Sequence, residues 1–174
     1  LVSASSWTMP SHMSMITGLY PGVHKITDYT RKLDNKITTL AEVLKKSGYY
    51  TAGFVSNPTL DSKYGFGKGF DYYDDFTVNL AVGFNLFKDQ DVEEQSVSLA
   101  RTSSPLNKAV LSWLKTNYDK RFFLFVHYFD PLYGYVPPPP YDTQFDPDYK
   151  GKIDGRNIGS LKPDMPRRDM QHVV

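Results

Sequence analysis

The sequence predicts an α/β fold built on a mainly parallel sheet. Two segments carry that expectation. RFFLFVHYF, residues 121 to 129, is a nearly continuous apolar run of the kind found in strands covered on both faces. YYTAGFV, residues 49 to 55, is short, aromatic and β-branched, and is bounded by Gly48 and by Ser56-Asn57-Pro58. Between them Leu106, Ala109, Val110, Trp113 and Leu114 repeat at helical spacing after Ser104-Pro105, which supplies the crossover that joins parallel strands. With 174 residues, 40% of them hydrophobic, the chain suits one domain or part of a larger one with a buried core.

The first helix is expected in SSWTMPSHMSMITGLYPGVHKI, residues 5 to 26. A start at Met9 or Pro10 uses the missing N–H of Pro10 where no partner is needed, and places Thr8 at or beside the N-cap. Met13, Ile16 and Leu19 provide an apolar side, and Gly18 suits the left-handed residue that ends a helix. His12 lies four residues after Thr8 and shares its face. Thr39-Leu40-Ala41-Glu42 reads as a capping box opening a second helix, with Leu40, Val43 and Leu44 on its apolar side and Gly48 beyond its end. Lys63 to Asp75, KYGFGKGFDYYDD, reads as an irregular loop without the setting of a phosphate-binding fingerprint. From Tyr133 onward prolines and glycines dominate, and residues 133 to 174 form an irregular region that includes a polyproline segment at Pro137 to Pro140. DPDYKGKIDG, residues 146 to 155, starts like a calcium loop but has Lys150 at the fifth position and Asn157 at the twelfth, where carboxylates are wanted, and reads as a solvated surface loop.

The formal net charge of +1, from 20 basic and 19 acidic residues without long runs of either sign, makes no electrostatic case for nucleic acid or an anionic membrane. The absence of cysteine excludes disulfides and thiolate metal sites. No apolar run is long enough to span a bilayer. Ligands in parallel α/β folds gather at the carboxyl ends of strands, where Ser56-Asn57 and His127 to Asp130 are placed. Each also has a plainer reading: Asn57 before a proline as a turn residue, His127 as a hydrogen-bonded core histidine, Thr8 as a helix cap.

The sequence resembles the sulfatase family of the alkaline phosphatase superfamily. Its signature, a Cys or Ser, any residue, Pro, Ser, Arg, then Thr-Gly, Pro and His, is approached by Thr8-Met9-Pro10-Ser11-His12, Thr17-Gly18-Leu19-Tyr20-Pro21 and His24. TLAEVLKKSGYYTAGFVSN, YGFGKGFDYYDD and FFLFVHYFDP follow in the family's order, so the resemblance covers most of residues 5 to 155. It implies a three-layer α/β/α fold with a mixed, mainly parallel sheet, incomplete in this chain, with residues 1 to 174 forming part of one catalytic domain. The family's first strand and its downstream metal ligands lie outside this stretch, so the chain is expected to be inactive by itself. The partner implied is the remainder of the parent chain. The resemblance further implies a metal-dependent hydrolase or transferase of sulfate or phosphate esters, with a divalent cation (calcium, manganese or zinc) and a small-molecule, glycan or lipid ester as substrate. Many relatives are periplasmic, extracellular or membrane-anchored.

Carried over by position, Thr8 takes the nucleophile's place and becomes a metal ligand. His12 and His127 join it as catalytic candidates, with Ser11, Asn57 and Asp130 as substrate-binding ones. The departures matter as much. Threonine cannot form the formylglycine of standard sulfatases, which points toward relatives that use an unmodified threonine against phosphorus. His12 replaces the signature arginine, Ser56-Asn57 stands where the family has a lysine, and Leu132 replaces a histidine after Pro131. These losses support a second reading, a degenerate sulfatase-fold protein that binds an anion without turnover.

Overall fold

The computed structural model describes residues 2–75, 103–129, 140–151 and 165–169. The chain divides into two compact units, Leu1–Phe129 and Asp130–Val174. In the first unit, α1 (Thr8–Thr17) is followed by the single turn α2 (Pro21–His24), α3 (Leu40–Lys46), β1 (Tyr50–Val55), β2 (Tyr72–Asp74), α4 (Ser103–Asn117) and β3 (Phe122–His127). In the second, a 3-10 turn at Tyr141–Thr143 precedes the exposed 146–151 segment, where Asp146 pairs with Arg168 and the Tyr149 hydroxyl donates to Asp169 at 2.6 Å. The polyproline expectation at 137–139 falls outside the described residues, as do Asp130 and the residues just after it.

The sheet has the order β2-β1-β3, and both pairings are parallel. Successive strand residues point to opposite faces, and two cores follow from that period. Ala52 and Phe54 pack with Leu106, Val110 and Trp113 of α4, with Tyr50, Phe122, Leu124 and Val126 at the margin. The other parity, represented by Val55 and Phe125, packs with Met9, Met13 and Ile16 of α1 and with Leu60, Tyr64 and Phe66. Helices therefore cover both faces, which is the predicted α/β layering. The β3 residues are each partly exposed rather than fully buried, because among the described strands β3 pairs only with β1.

Two details differ from expectation. Tyr72–Asp74, read as loop, is a short strand in register with Ala52 to Phe54. A strand of such length is stabilised by its partner rather than by its own composition, and the glycines before it masked it. The face of α3 also differs: Ala41 is buried, whereas Leu40 and Val43 are 43% and 49% exposed. Polar contacts hold this short helix. Thr39 Oγ1 accepts from the Glu42 N–H at 3.2 Å, the Thr39 N–H donates to Glu42 Oε2 at 2.9 Å, and Thr39 Oγ1 donates to the Lys68 carbonyl at 2.9 Å. Lys45 pairs with Asp71 at 2.6 Å, and Asp71 Oδ2 accepts from the Thr51 N–H at 2.9 Å, so α3, β1 and the glycine loop form one unit. Gly69, at φ +90°, passes so close that a Cβ there would lie 2.5 Å from the Glu42 nitrogen.

Removing the Thr39 hydroxyl breaks the box and its tie to the loop. Thr39→Ala should lower the stability of the whole protein by about 1–2 kcal/mol in urea unfolding, with Thr39→Ser close to wild type. A Cβ on Gly53 would stand 2.5 Å from the Tyr73 ring, so Gly53→Ala should cost about 1–3 kcal/mol in the same measurement.

Candidate active site

The N-terminus of α1 and the C-terminal end of β3 meet on the α1 face of the sheet. Trp7, in extended conformation at φ −138° and ψ 165°, occupies the N-cap and provides no side-chain cap. Its ring packs edge-on against Tyr29 with centroids 5.6 Å apart. The expected helix start is therefore corrected by one to two residues. Thr8 is the first helical residue, not the cap, because the apolar contact of Trp7 fixes the entry of the chain where a capping hydroxyl would otherwise act. Thr8 is half-buried, and its hydroxyl has no hydrogen bond to a described residue. The other end is as expected: Gly18, at φ +70°, donates its N–H to the Ser14 carbonyl at 2.8 Å.

His12 does share the face of Thr8, but it bonds main chain. Its Nδ1 lies 2.8 Å from the Thr8 carbonyl oxygen, which the Ser11 hydroxyl also reaches at 3.0 Å. A carbonyl only accepts, so Nδ1 carries a proton, and the neutral form of the ring has its lone pair on Nε2. Ser11 is thereby committed locally to the first turn of α1.

His127 reaches the same place from β3. In-register pairing of Val55 with His127 gives its side chain the α1-facing parity, and its ring meets that of His12 edge to face, with centroids 4.9 Å apart. Its Nδ1 is buried and has no hydrogen-bond partner among the described residues. Burial, with a smaller contribution from His12, lowers its pKa from 6.5 to about 4, so His127 is neutral at physiological pH.

The signature residue His24 is structural. It is 2% exposed; its Nδ1 accepts from the Ile26 N–H at 3.0 Å, which leaves Nε2–H to donate to Ser14 Oγ at 3.0 Å. It pins the turn after α1 back onto α1, and burial depresses its pKa. Asn57 is 3% exposed, and its Oδ1 accepts from the Thr59 N–H at 2.9 Å, capping the 3-10 turn Pro58–Leu60. The turn-residue reading thus describes its carbonyl oxygen, and only its NH2 is left for a ligand. Asp130 lies outside the described residues. Ser56, placed by the sequence with Asn57 at a strand end where ligands gather, is wholly buried and bonded to the backbone around His127.

Among the described residues no three His, Cys, Asp or Glu side chains are grouped to hold a metal ion. The described residues thus do not by themselves fit the divalent cation implied by the resemblance, for which Thr8 would be a single ligand. No described helix is long and apolar enough to cross a membrane.

A parallel sheet thus lies between helices, with a hydroxyl at a helix start beside strand ends. The sulfatase family model matches residues 1–160, and the chain belongs to the sulfatase family. No curated protein matches it. Among solved structures it is similar to the phosphonate monoester hydrolase of Agrobacterium radiobacter, at 16% identity and TM-score 0.57, over 80% of this chain and 34% of that one. It is likewise similar to the phosphonate monoester hydrolase of Silicibacter pomeroyi, at 20% identity and TM-score 0.58, over 83% of this chain and 36% of that one. The chain spans about a third of each neighbour's length, and the likeness bears on fold.

The low pKa of His127 has a consequence for stability. Between pH 6.5 and about 4 the unfolded chain binds a proton at His127 that the folded chain does not, so stability falls as pH drops through that window. Thermal unfolding of the whole protein from pH 7 to pH 4 should show this acid loss, and His127→Gln should make it shallower while the share due to His24 remains.

Proposed function

We propose that the whole protein is a hydrolase or transferase of phosphate, phosphonate or sulfate esters in which Thr8 is the nucleophile. The observation that carries this is the Thr8 hydroxyl, at the first position of an α1 N-terminus without a side-chain cap, bonded to no described residue and not needed as a cap. Unpaired N–H groups and the helix dipole favour an anion there, by a few tenths to about 2 kcal/mol.

In the first step Thr8 Oγ attacks phosphorus or sulfur, its bond to the ester's leaving oxygen breaks, and the departing oxygen takes up a proton. The product is a threonine ester of the transferred group. His12 holds its Nδ1 proton on the Thr8 carbonyl, so Nε2 is the atom it has to offer the threonine's proton. In the second step water or an alcohol attacks the same centre and Thr8 leaves. Neutral His127 serves there as a base or hydrogen-bonding group rather than as a fixed cation. Ser11 holds the first turn, and Asn57 NH2 and Asp130 are the proposed contacts to substrate. A divalent cation, whether calcium, manganese or zinc, would need ligands besides Thr8 from outside the described residues. No formylglycine is formed, since threonine carries a methyl group where the aldehyde would arise.

The alternative, an anion-binding family member without turnover, is favoured by Leu132 and by the commitment of the Asn57 oxygen to its own turn. Aryl phosphate monoester, aryl phosphodiester, aryl phosphonate monoester and aryl sulfate, each assayed with the whole protein in calcium, manganese and zinc, separate the two. Turnover of one of them supports the enzyme, and binding of inorganic phosphate without any turnover supports the binder.

Thr8→Ala should lower turnover by on the order of 10³-fold or more without changing the unfolding midpoint. In the wild type, mass spectrometry of acid-quenched enzyme should find the transferred group on the peptide containing Thr8. Wild-type turnover by Thr8→Ala would remove Thr8 from the chemistry.

A further inference from the structure

We propose that Ser56 is a positioning residue for His127, its hydroxyl clamping the backbone on both sides of Tyr128 so that the His127 ring is held against His12. The assignment rests on the reading of His12 and His127 as members of the active site.

The β1–β3 ladder ends at the pair Val55 and His127, beyond which no regular pairing holds the two chains together. Ser56 extends it by one residue with its side chain. Its N–H donates to the His127 carbonyl at 3.2 Å, and its Oγ–H donates to the same oxygen at 3.1 Å. The same Oγ accepts from the Phe129 N–H at 2.8 Å. One hydroxyl thus acts as donor and as acceptor, and the peptides on either side of Tyr128 are both tied to the end of β1. Ser56 is fully buried, so water does not replace it without opening the sheet.

The need for such a clamp is visible at the ring. Most functional histidines are oriented by a hydrogen bond to one ring nitrogen. Among the described residues His127 Nδ1 has no hydrogen-bond partner, so none of them holds the ring through that nitrogen. Its direction is left to the Cα–Cβ vector set by residues 127 to 129, and to the contact with His12 at 4.9 Å between centroids. Where the family has a lysine that would contribute a charge, this chain has a residue too short and too buried to reach a substrate. The position acts through the backbone instead.

The test uses the whole protein with isotope-labelled histidine. Ser56→Ala should weaken the ring-to-ring nuclear Overhauser contact between His12 and His127 and move the His127 ring nitrogen shifts. Ser56→Cys, of similar size and with a weaker donor and acceptor, should fall between. On whichever ester the wild type turns over, Ser56→Ala should lose on the order of tenfold to 10²-fold, in kcat rather than KM, because the ring is misplaced and no substrate contact is lost. Wild-type ring contacts in both variants would overturn the assignment, as would failure of both to fold, which would make Ser56 a residue of the fold alone. If the wild type turns over none of the esters, the enzyme reading falls, and the histidine spectra still decide whether Ser56 holds the ring.

Discussion

Everything described in the larger unit depends on the parallel register between β1 and β3. Because side chains alternate with a period of two, the pairing of Tyr50 with Phe122 commits Tyr50, Ala52, Phe54, Phe122, Leu124 and Val126 to α4. The same choice sends Val55, Phe125 and His127 toward α1. A slip by one residue would bury His127 under α4 and present Val126 to the start of α1. Core and site therefore share one determinant: the register that fills both hydrophobic layers also brings a histidine to the threonine of the signature helix.

The segments around that sheet are held by polar ties of short reach as well as by the apolar residues they bury. The capping box of α3 carries the glycine loop through the Lys68 carbonyl, and the Lys68 ammonium reaches back to the carbonyls of Asn35 and Ile37 at 2.7 and 2.5 Å. His24 fastens the turn after α1, and Ser56 fastens the exit of β3. Thr39, His24 and Ser56 each donate and accept at once. Such groups locate loops to a fraction of an ångström, which a hydrophobic contact of equal size does not.

The site is also less charged than the family pattern. An imidazole stands in place of a guanidinium at position 12, and a hydroxyl followed by an amide in place of an ammonium at 56 and 57. His127 is neutral because it is buried, and the Nδ1 proton of His12 is committed to a carbonyl. On the proposed reading, what remains to attract an anion is the start of α1 and two imidazole edges. On that reading the site depends more on orientation than on net charge, which is why a backbone clamp on one ring has weight here.

Much of this was legible in the residues themselves. Local rules acting over three or four positions determined the capping box at Thr39, the left-handed Gly18, the helical stripe from Leu106 to Leu114 and the two main strands. The ordered motifs from Thr8 to Asp130 carried the family. Tertiary structure alone decided the rest, because it depends on contacts between residues far apart in the chain. Trp7 took the cap from Thr8 by packing on Tyr29. Tyr72–Asp74 became a strand because β1 was there to pair with it. Exposure of Leu40 and Val43 followed from polar ties to a loop some thirty residues on. The meeting of His12 with His127, and the buried hydroxyl of Ser56 between β1 and β3, join segments separated by more than seventy residues. No periodicity or composition encodes such a distance; only closure of the sheet does.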